Sequence, residues 1–351
     1  MSREWEKNVR KVVPYVPGEQ PKLVNMIKLN TNENPYPPAP GVKEALMLTD
    51  ADALRLYPDP AALELREAIA EEYGVRVEQV FTGVGSDDVL AMAFLTFFHS
   101  QRPVLFPDIT YSFYEVWAQL FCIPYETQRL DDAFRIRPED YKKPNGGIIF
   151  PNPNAPTGVE ESQEMIREIL EANPDSVVIV DEAYVDFGAD SALPLTAEYD
   201  NLLVVQTFSK SRAMAGVRIG YAIGSERLIS YLNDVKFSFN SYTMSRTALA
   251  AGVASVKDRA YFEEMTGRIV KTREWLKEEL RGLGFSFPDS RSNFLFVTHE
   301  TVSAKELFVR LRERGVIVRY FDKPGIDNYL RITIGTEDQM KEFLDILNDC
   351  I

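Results

Sequence analysis

Three short segments carry residues whose types and spacing could do chemistry. The first is TFSKSRAMAGVR, residues 207–218, which follows the apolar run LLVVQ. If that run is a strand, Lys210 lies just past its end, with the hydroxyls of Thr207 and Ser209 beside it and Arg218 downstream. An interior lysine is costly unless it is paired or used, and a desolvated lysine amine can attack a carbonyl to form a Schiff base. The second segment is VVIVDEAY, residues 177–184, which puts Asp181 at the end of a buried run and Tyr184 three residues on. In open α/β sheets that strand edge is where ligands sit. An acid there could bind a metal, a ribose hydroxyl or a protonated ring nitrogen, or serve structure alone. The third is TGVGSDD, residues 82–88, in which Gly83 and Gly85 begin a dinucleotide fingerprint that Asp88 breaks. The glycines still permit a tight strand-to-helix turn, so that Gly85, Ser86 and Asp87 open a helix near Val89. Free N–H groups at such a start hold phosphate well; the ordinary alternative is a start capped by Ser86 or Asp87.

Metal and hydrolase chemistry find little support. The only histidines are His99 and His299, neither near Asp181 in sequence, so metal ligands and a Ser-His-Asp or Cys-His arrangement are hard to assemble. Taken together, the three segments suit pyridoxal 5'-phosphate. Its aldehyde needs a lysine amine, its pyridine nitrogen a carboxylate, its ring oxygen a donor and its phosphate several N–H, O–H and guanidinium donors.

With those segments in view, the chain resembles the fold-type I pyridoxal-phosphate aminotransferases and, within them, the histidinol-phosphate aminotransferase subgroup. The resemblance runs through VVPYVPG, KLNTNENPYPP, RLYPDP, PNPNAPTG, VDEAYVDF, TFSKSRAMAGVRIGY and LRITIGT. It implies a Schiff-base lysine at Lys210, a partner for the pyridine N–H at Asp181 and a ring-oxygen donor at Tyr184. Thr207, Ser209 and Arg218 would serve the phosphate, with the amides of Gly85, Ser86 and Asp87, while Tyr111 would stack on the pyridine ring. Tyr57 would reach the cofactor of a neighbouring subunit, making a homodimer with shared sites. Arg331 would be the substrate arginine, with Arg319 and Tyr15 as helpers. The subgroup usually has Asn directly before PTG; here that position is Ala155, and Asn154 is the expected substitute. The implied reaction moves an amino group between L-histidinol phosphate and 2-oxoglutarate, giving glutamate, in histidine biosynthesis. A threonine-phosphate decarboxylase and a non-catalytic regulator on the same domain are the rival readings.

The elements that must position these residues follow from hydrophobic patterning. Short apolar runs at 104–106, 148–150, 177–180, 202–208 and 219–224 alternate with helical stretches such as Glu161 to Asn173. Runs apolar on both faces belong to a parallel sheet covered by helices, so the fold class is α/β with a mainly parallel central sheet. After about residue 245 a long charged helix from Arg259 to Leu283 leads to NFLFV, a helix at 303–314, VIVRYF, LRITIG and a terminal helix. The expected organisation is an arm and loop over 1–41, a large domain over 42–250 and a smaller α+β domain over 251–351, with the ligand site in the cleft between the two domains. Residues 30–41, rich in Pro and Gly, read as a fixed loop.

Composition narrows the partners. The 351 residues carry 39 Lys and Arg against 53 Asp and Glu, a formal charge of −14, which argues against nucleic acid and anionic membrane surfaces. No stretch approaches the roughly 18 apolar residues of a spanning helix and the N-terminus lacks an apolar signal core, so a cytoplasmic protein is expected. Cys122 and Cys350 form no metal or disulfide spacing and read as buried or inert thiols.

Overall fold

The computed structural model describes residues 3–16, 18–20 and 26–351. Part of the expected N-terminal arm, including Pro17 and residues 21–25, therefore lies outside the described residues. The main body is a seven-stranded sheet of β1 (Val80–Gly83), β2 (Val104–Pro107), β3 (Tyr125–Gln128), β4 (Gly147–Pro151), β5 (Val178–Asp181), β6 (Leu202–Thr207) and β7 (Gly220–Gly224). Their order across the sheet is β1-β7-β6-β5-β4-β2-β3. β7 runs antiparallel to both its neighbours and the remaining pairs are parallel. The patterning located five of these strands. β1 and β3 were not marked as apolar runs: β1 is the short VFTG and β3 is YETQ, whose middle residues are exposed.

Burial explains the apolar character of the central strands. Val178, Ile179 and Val180 are fully buried, as are Leu202, Leu203 and Val205. One sheet face packs on helices Ser86–Phe97, Phe113–Phe121 and Glu226–Phe239, through Phe94, Trp117 and Leu232. The opposite face packs on helix Gln163–Ala172 and, nearer β7, on helices Leu63–Tyr73 and Arg246–Lys257. Helix Leu63–Tyr73 buries Leu65 and Ile69, as their spacing predicts, and Gly74 ends it in the left-handed region.

A 24-residue helix, Arg259–Gly282, leads to a four-stranded sheet containing Phe285–Ser286, Phe294–His299, Arg319–Tyr320 and Leu330–Thr333. VIVRYF does not form one strand. It divides into Val316–Ile317, which pairs with Ile27–Lys28, and Arg319–Tyr320, which pairs with Leu330–Thr333. Cys350 is buried, whereas Cys122 is exposed at the end of helix Phe113–Phe121, so the two thiols are not alike. Among the described residues no helix is long and apolar enough to cross a membrane.

The C-terminal ends of β1, β2, β4, β5 and β6 share one edge, and β7 begins there. Register opposes Gly220 to both Gly83 and Thr207. A Cβ added to Gly220 would lie 2.3 Å from the backbone carbon of Gly85 and from the nitrogen of Ser86. Gly220→Ala is accordingly expected to lower the stability of the chain by about 1–3 kcal/mol through overpacking against rigid backbone, read as a lower urea midpoint at unchanged m-value.

Candidate active site

Asp181 ends β5 and is 4% exposed. Its Oδ2 accepts the hydroxyl of Tyr114 at 2.9 Å and its Oδ1 the amide of Ala183 at 3.2 Å. Burial pushes this carboxyl up to about 6, opposed chiefly by the Tyr114 and Ala183 hydrogen bonds. The adjacent Glu182, directed to Ser191, Ala192 and Gln206, is pushed up to about 7 by burial.

Lys210 sits three residues beyond β6. Its Nζ donates to the carbonyl of Thr31 at 3.2 Å and lies 5.7 Å from the centre of the Tyr184 ring. The loop that carries it is tied down by Asn34, whose amide donates to the carbonyls of Lys210 and Ser211, and by Asp186, which accepts the Ser211 hydroxyl. Tyr184 accepts the Asn32 amide at 3.0 Å, so its own hydroxyl hydrogen is available to a further acceptor. Asn32 is held in turn by Thr333 and Asn293 of the smaller sheet region.

The helix expected near Val89 begins earlier, at Ser86, with Gly85 at φ +87° as its N-cap. Neither Ser86 nor Asp87 caps it. Asp88 instead accepts the amide of Val84 at 2.9 Å, which fixes the turn before the helix. Arg218, at φ +61°, reaches over this start, and a Cβ on Gly85 would lie 2.4 Å from its Nη2. Arg218 Nη1 donates to Ser209 Oγ at 3.4 Å, and Ser209 accepts the Thr207 hydroxyl at 3.0 Å. Asp87 contributes more than its amide: its carboxylate accepts Tyr111 Oη at 2.8 Å and lies 3.5 Å from Arg218.

Arg331 and Arg319 face each other across neighbouring strands. Arg331 donates to the carbonyl of Asn30, while its Nε is buried without a partner. Its charged and titratable surroundings are Tyr184, Arg319, Tyr15 and Tyr111. Like charges directly opposed in a sheet repel, and among the described residues neither arginine meets a carboxylate. Burial lowers the proton affinity of Arg331. Tyr15 stacks on Phe113 at 4.2 Å, with Tyr111 at 6.4 Å.

Two expected residues stand apart from this cluster. Tyr57 is 77% exposed and stacks on Tyr242 at 4.5 Å. The Asn154 amide nitrogen is committed to the carbonyl of Ile109 and the hydroxyl of Thr157, both at 3.0 Å, so it is not presented to the site as the expected substitute. Tyr114 and Asn32 join the site without a role implied by the sequence. Tyr114 had only a place in DITYSFYE to mark it, and Asn32 a place in the quoted NTNENP.

A lysine, a buried carboxylate and a glycine-lined helix start on one edge of a mainly parallel sheet make the frame of a fold-type I pyridoxal-phosphate enzyme. Residues 24–347 match the aminotransferase class I and II family, and the chain belongs to it. Among its relatives, the histidinol-phosphate aminotransferase of Chromohalobacter salexigens is 54% identical over 347 residues, covering 99% of each chain. That of Clostridium beijerinckii is 52% identical over 347 residues, covering 99% of this chain and 97% of the relative. The crystal structure of histidinol-phosphate aminotransferase from Sinorhizobium meliloti, in complex with pyridoxal-5'-phosphate, superposes with a TM-score of 0.85 over 93% of this chain and 90% of that one. At 23% identity, that likeness is one of fold.

The raised Asp181 carboxyl has a consequence for stability. A group whose proton affinity is higher folded than unfolded contributes stability at low pH that is lost as pH rises through the folded value, here between the ordinary 3.8 and about 6. In the ligand-free chain, Asp181→Asn is expected to be stabilising at pH 8, by up to about 3 kcal/mol at 1.36 kcal/mol per unit, with the gain gone near pH 4. Urea unfolding at the two pH values measures it.

Proposed function

We propose that the chain is a pyridoxal-phosphate-dependent transaminase acting on L-histidinol phosphate and 2-oxoglutarate in histidine biosynthesis. The observation that carries the substrate is the opposed pair Arg319 and Arg331, two cations that meet no carboxylate among the described residues and lie near Tyr15, Tyr111 and Tyr184. Such a pair suits a substrate anion, and guanidinium forks bind phosphate and carboxylate alike. The two half-reactions each present one of these anions.

The residues present fit the cofactor. Gly85 leaves room for Arg218 over an uncapped helix start, and Ser209 adds a hydroxyl there. When bound, pyridoxal 5'-phosphate supplies an aldehyde for the substrate amine and a pyridinium that accepts the electron pair left at the substrate carbon. Asp181 holds the proton on the ring nitrogen. Tyr184, accepting from Asn32, gives its hydroxyl hydrogen to the ring oxygen; Ala155 offers no amide there, so the tyrosine carries that contact alone. Tyr111 would pack against the pyridine ring. Ser209, Arg218 and the amides of Gly85, Ser86 and Asp87 hold the phosphate, with Thr207 orienting Ser209. Lys210 Nζ would hold the cofactor's aldehyde end and, as a free amine, would move the proton at the substrate carbon. Arg331 binds the substrate anion, assisted by Arg319 and Tyr15.

The enzyme works as a cytoplasmic homodimer in this reading. Met47, Leu48, Tyr57 and Phe239 are each more than 70% exposed, and large exposed apolar side chains of this kind suit a protein interface. Lys236 donates to the carbonyls of Pro60 and Thr82, tying the loop that bears Tyr57 to the strand that enters the phosphate cup. From there Tyr57 would reach the cofactor phosphate of a partner subunit.

Single-turnover spectroscopy tests the reading. Histidinol phosphate and glutamate added separately should each convert the cofactor to its amine form, whereas release of carbon dioxide from threonine phosphate would favour the decarboxylase. Arg331→Ala should slow both conversions alike, by the about 2–5 kcal/mol of a desolvated charge pair. Impairment with glutamate alone would give the phosphate its own site. Borohydride should fix the cofactor covalently to the wild-type chain and leave Lys210→Ala unlabelled. For the dimer, mixing Tyr57→Phe with Lys210→Ala subunits should restore part of the activity, and a fully active monomer by sedimentation would refute sharing.

A further inference from the structure

Tyr114 is a large, fully buried tyrosine whose hydroxyl meets a single protein acceptor, Asp181 Oδ2 at 2.9 Å. Its ring is packed by Phe94 and Phe106 and lies edge-on to Tyr111 at 5.8 Å. Those contacts would survive loss of the oxygen. Tyr111, just before helix Phe113–Phe121, and Tyr114, in its first turn, thus each hand a hydroxyl to a carboxylate: Tyr111 to Asp87 and Tyr114 to Asp181.

We propose that Tyr114 is a positioning residue for the reaction: its hydroxyl, given to Asp181 Oδ2, fixes the carboxylate's plane and keeps it an ionised acceptor. The opposite oxygen receives only the Ala183 amide at 3.2 Å, a longer contact, which leaves its remaining lone pair for the group that Asp181 faces. A phenol O–H donated to a carboxylate favours the charged form, against the desolvation that favours the neutral one. The charged and titratable groups around the pair come from each element packed on it: Asp87 from helix Ser86–Phe97, Lys210 from the loop after β6, Tyr184 after β5, and Tyr111. Asp87 acts with burial to protonate Asp181, while Lys210 and Tyr114 act against it. Of these, Tyr114 alone touches the carboxylate through a side chain.

This inference rests on the assignment of Asp181 to the ring nitrogen, yet its first test needs no cofactor. In the ligand-free full-length chain, the Asp181 carboxyl is followed by infrared difference spectroscopy against Asp181→Asn while pH is varied. Tyr114→Phe should raise its titration midpoint by about one to two pH units, the worth of a hydrogen bond to a charged group. In the holoenzyme the acid limb of kcat should move up by the same amount, with turnover near wild type above pH 9 and KM little changed. Tyr114→Met removes the same hydroxyl and should give the same shift if the Phe chain folds poorly. An unmoved carboxyl titration, or a loss of activity equal at every pH, would overturn the assignment. A shifted titration with an unmoved kcat profile would uphold Tyr114 as the partner of Asp181 and overturn the role of Asp181 at the ring nitrogen.

Discussion

Backbone meets backbone where β7 begins, and the cofactor end of the site depends on that contact. Gly220 lies so close to Gly85 and Ser86 that no side chain fits between them. The approach sets the helix start against the strand edge, brings Arg218 over it from two residues upstream, and aligns Thr207 opposite Gly220. Both Gly85 and Arg218 have positive φ. For glycine this is nearly free, but for an arginine it is a strained choice. The strain is tolerated because the guanidinium is then held among Ser209, Ala215 and Asp87. An antiparallel strand inside a parallel sheet is thus what lets the segment after Lys210 return to the same edge.

The substrate end is built differently, from the small sheet and the loop before the large domain. Strand Leu330–Thr333 presents Arg331 and Thr333 on the same side, two residues apart. Thr333 fixes Asn32, Asn32 fixes Tyr184, and Tyr184 stands beside Lys210. A chain of hydrogen bonds therefore runs from the sheet that bears the anion-binding arginine to the lysine neighbourhood. Movement of the small sheet would be felt at the Tyr184 hydroxyl. Arg273 makes a second link across the same seam, donating from the long helix to the carbonyls of Phe187 and Ser292.

What could be read from the residues was what sits at strand ends and what repeats in short apolar runs. Lys210 and Asp181 were legible because they lie at the C-terminal ends of strands whose hydrophobic pattern is plain, and Arg218 because it stands just before the next such strand, so the edge they share follows from the sequence. β3 was not, because only its end is buried and its middle residues face solvent. Tyr114 carried no local signal, since one buried aromatic looks like another until its oxygen finds an acceptor 67 positions away. The opposition of Arg319 to Arg331 depends on strand register, which the broken run VIVRYF conceals. Asn154 shows the reverse failure: its residue type suits the role, but its amide is spent on Ile109 and Thr157.

The opposed arginines also bear on how the protein must be handled. Two guanidinium groups without a carboxylate attract any small oxyanion of suitable geometry, not the substrate alone. Sulfate from a precipitation step and phosphate from a buffer present the same tetrahedral oxygens as a phosphoryl group. If the two arginines hold the substrate anion as proposed, such ions would compete for Arg319 and Arg331 in proportion to their concentration and raise the apparent KM. Kinetic constants for this chain would then be properties of the solution as much as of the enzyme, and comparable only in buffers free of such anions.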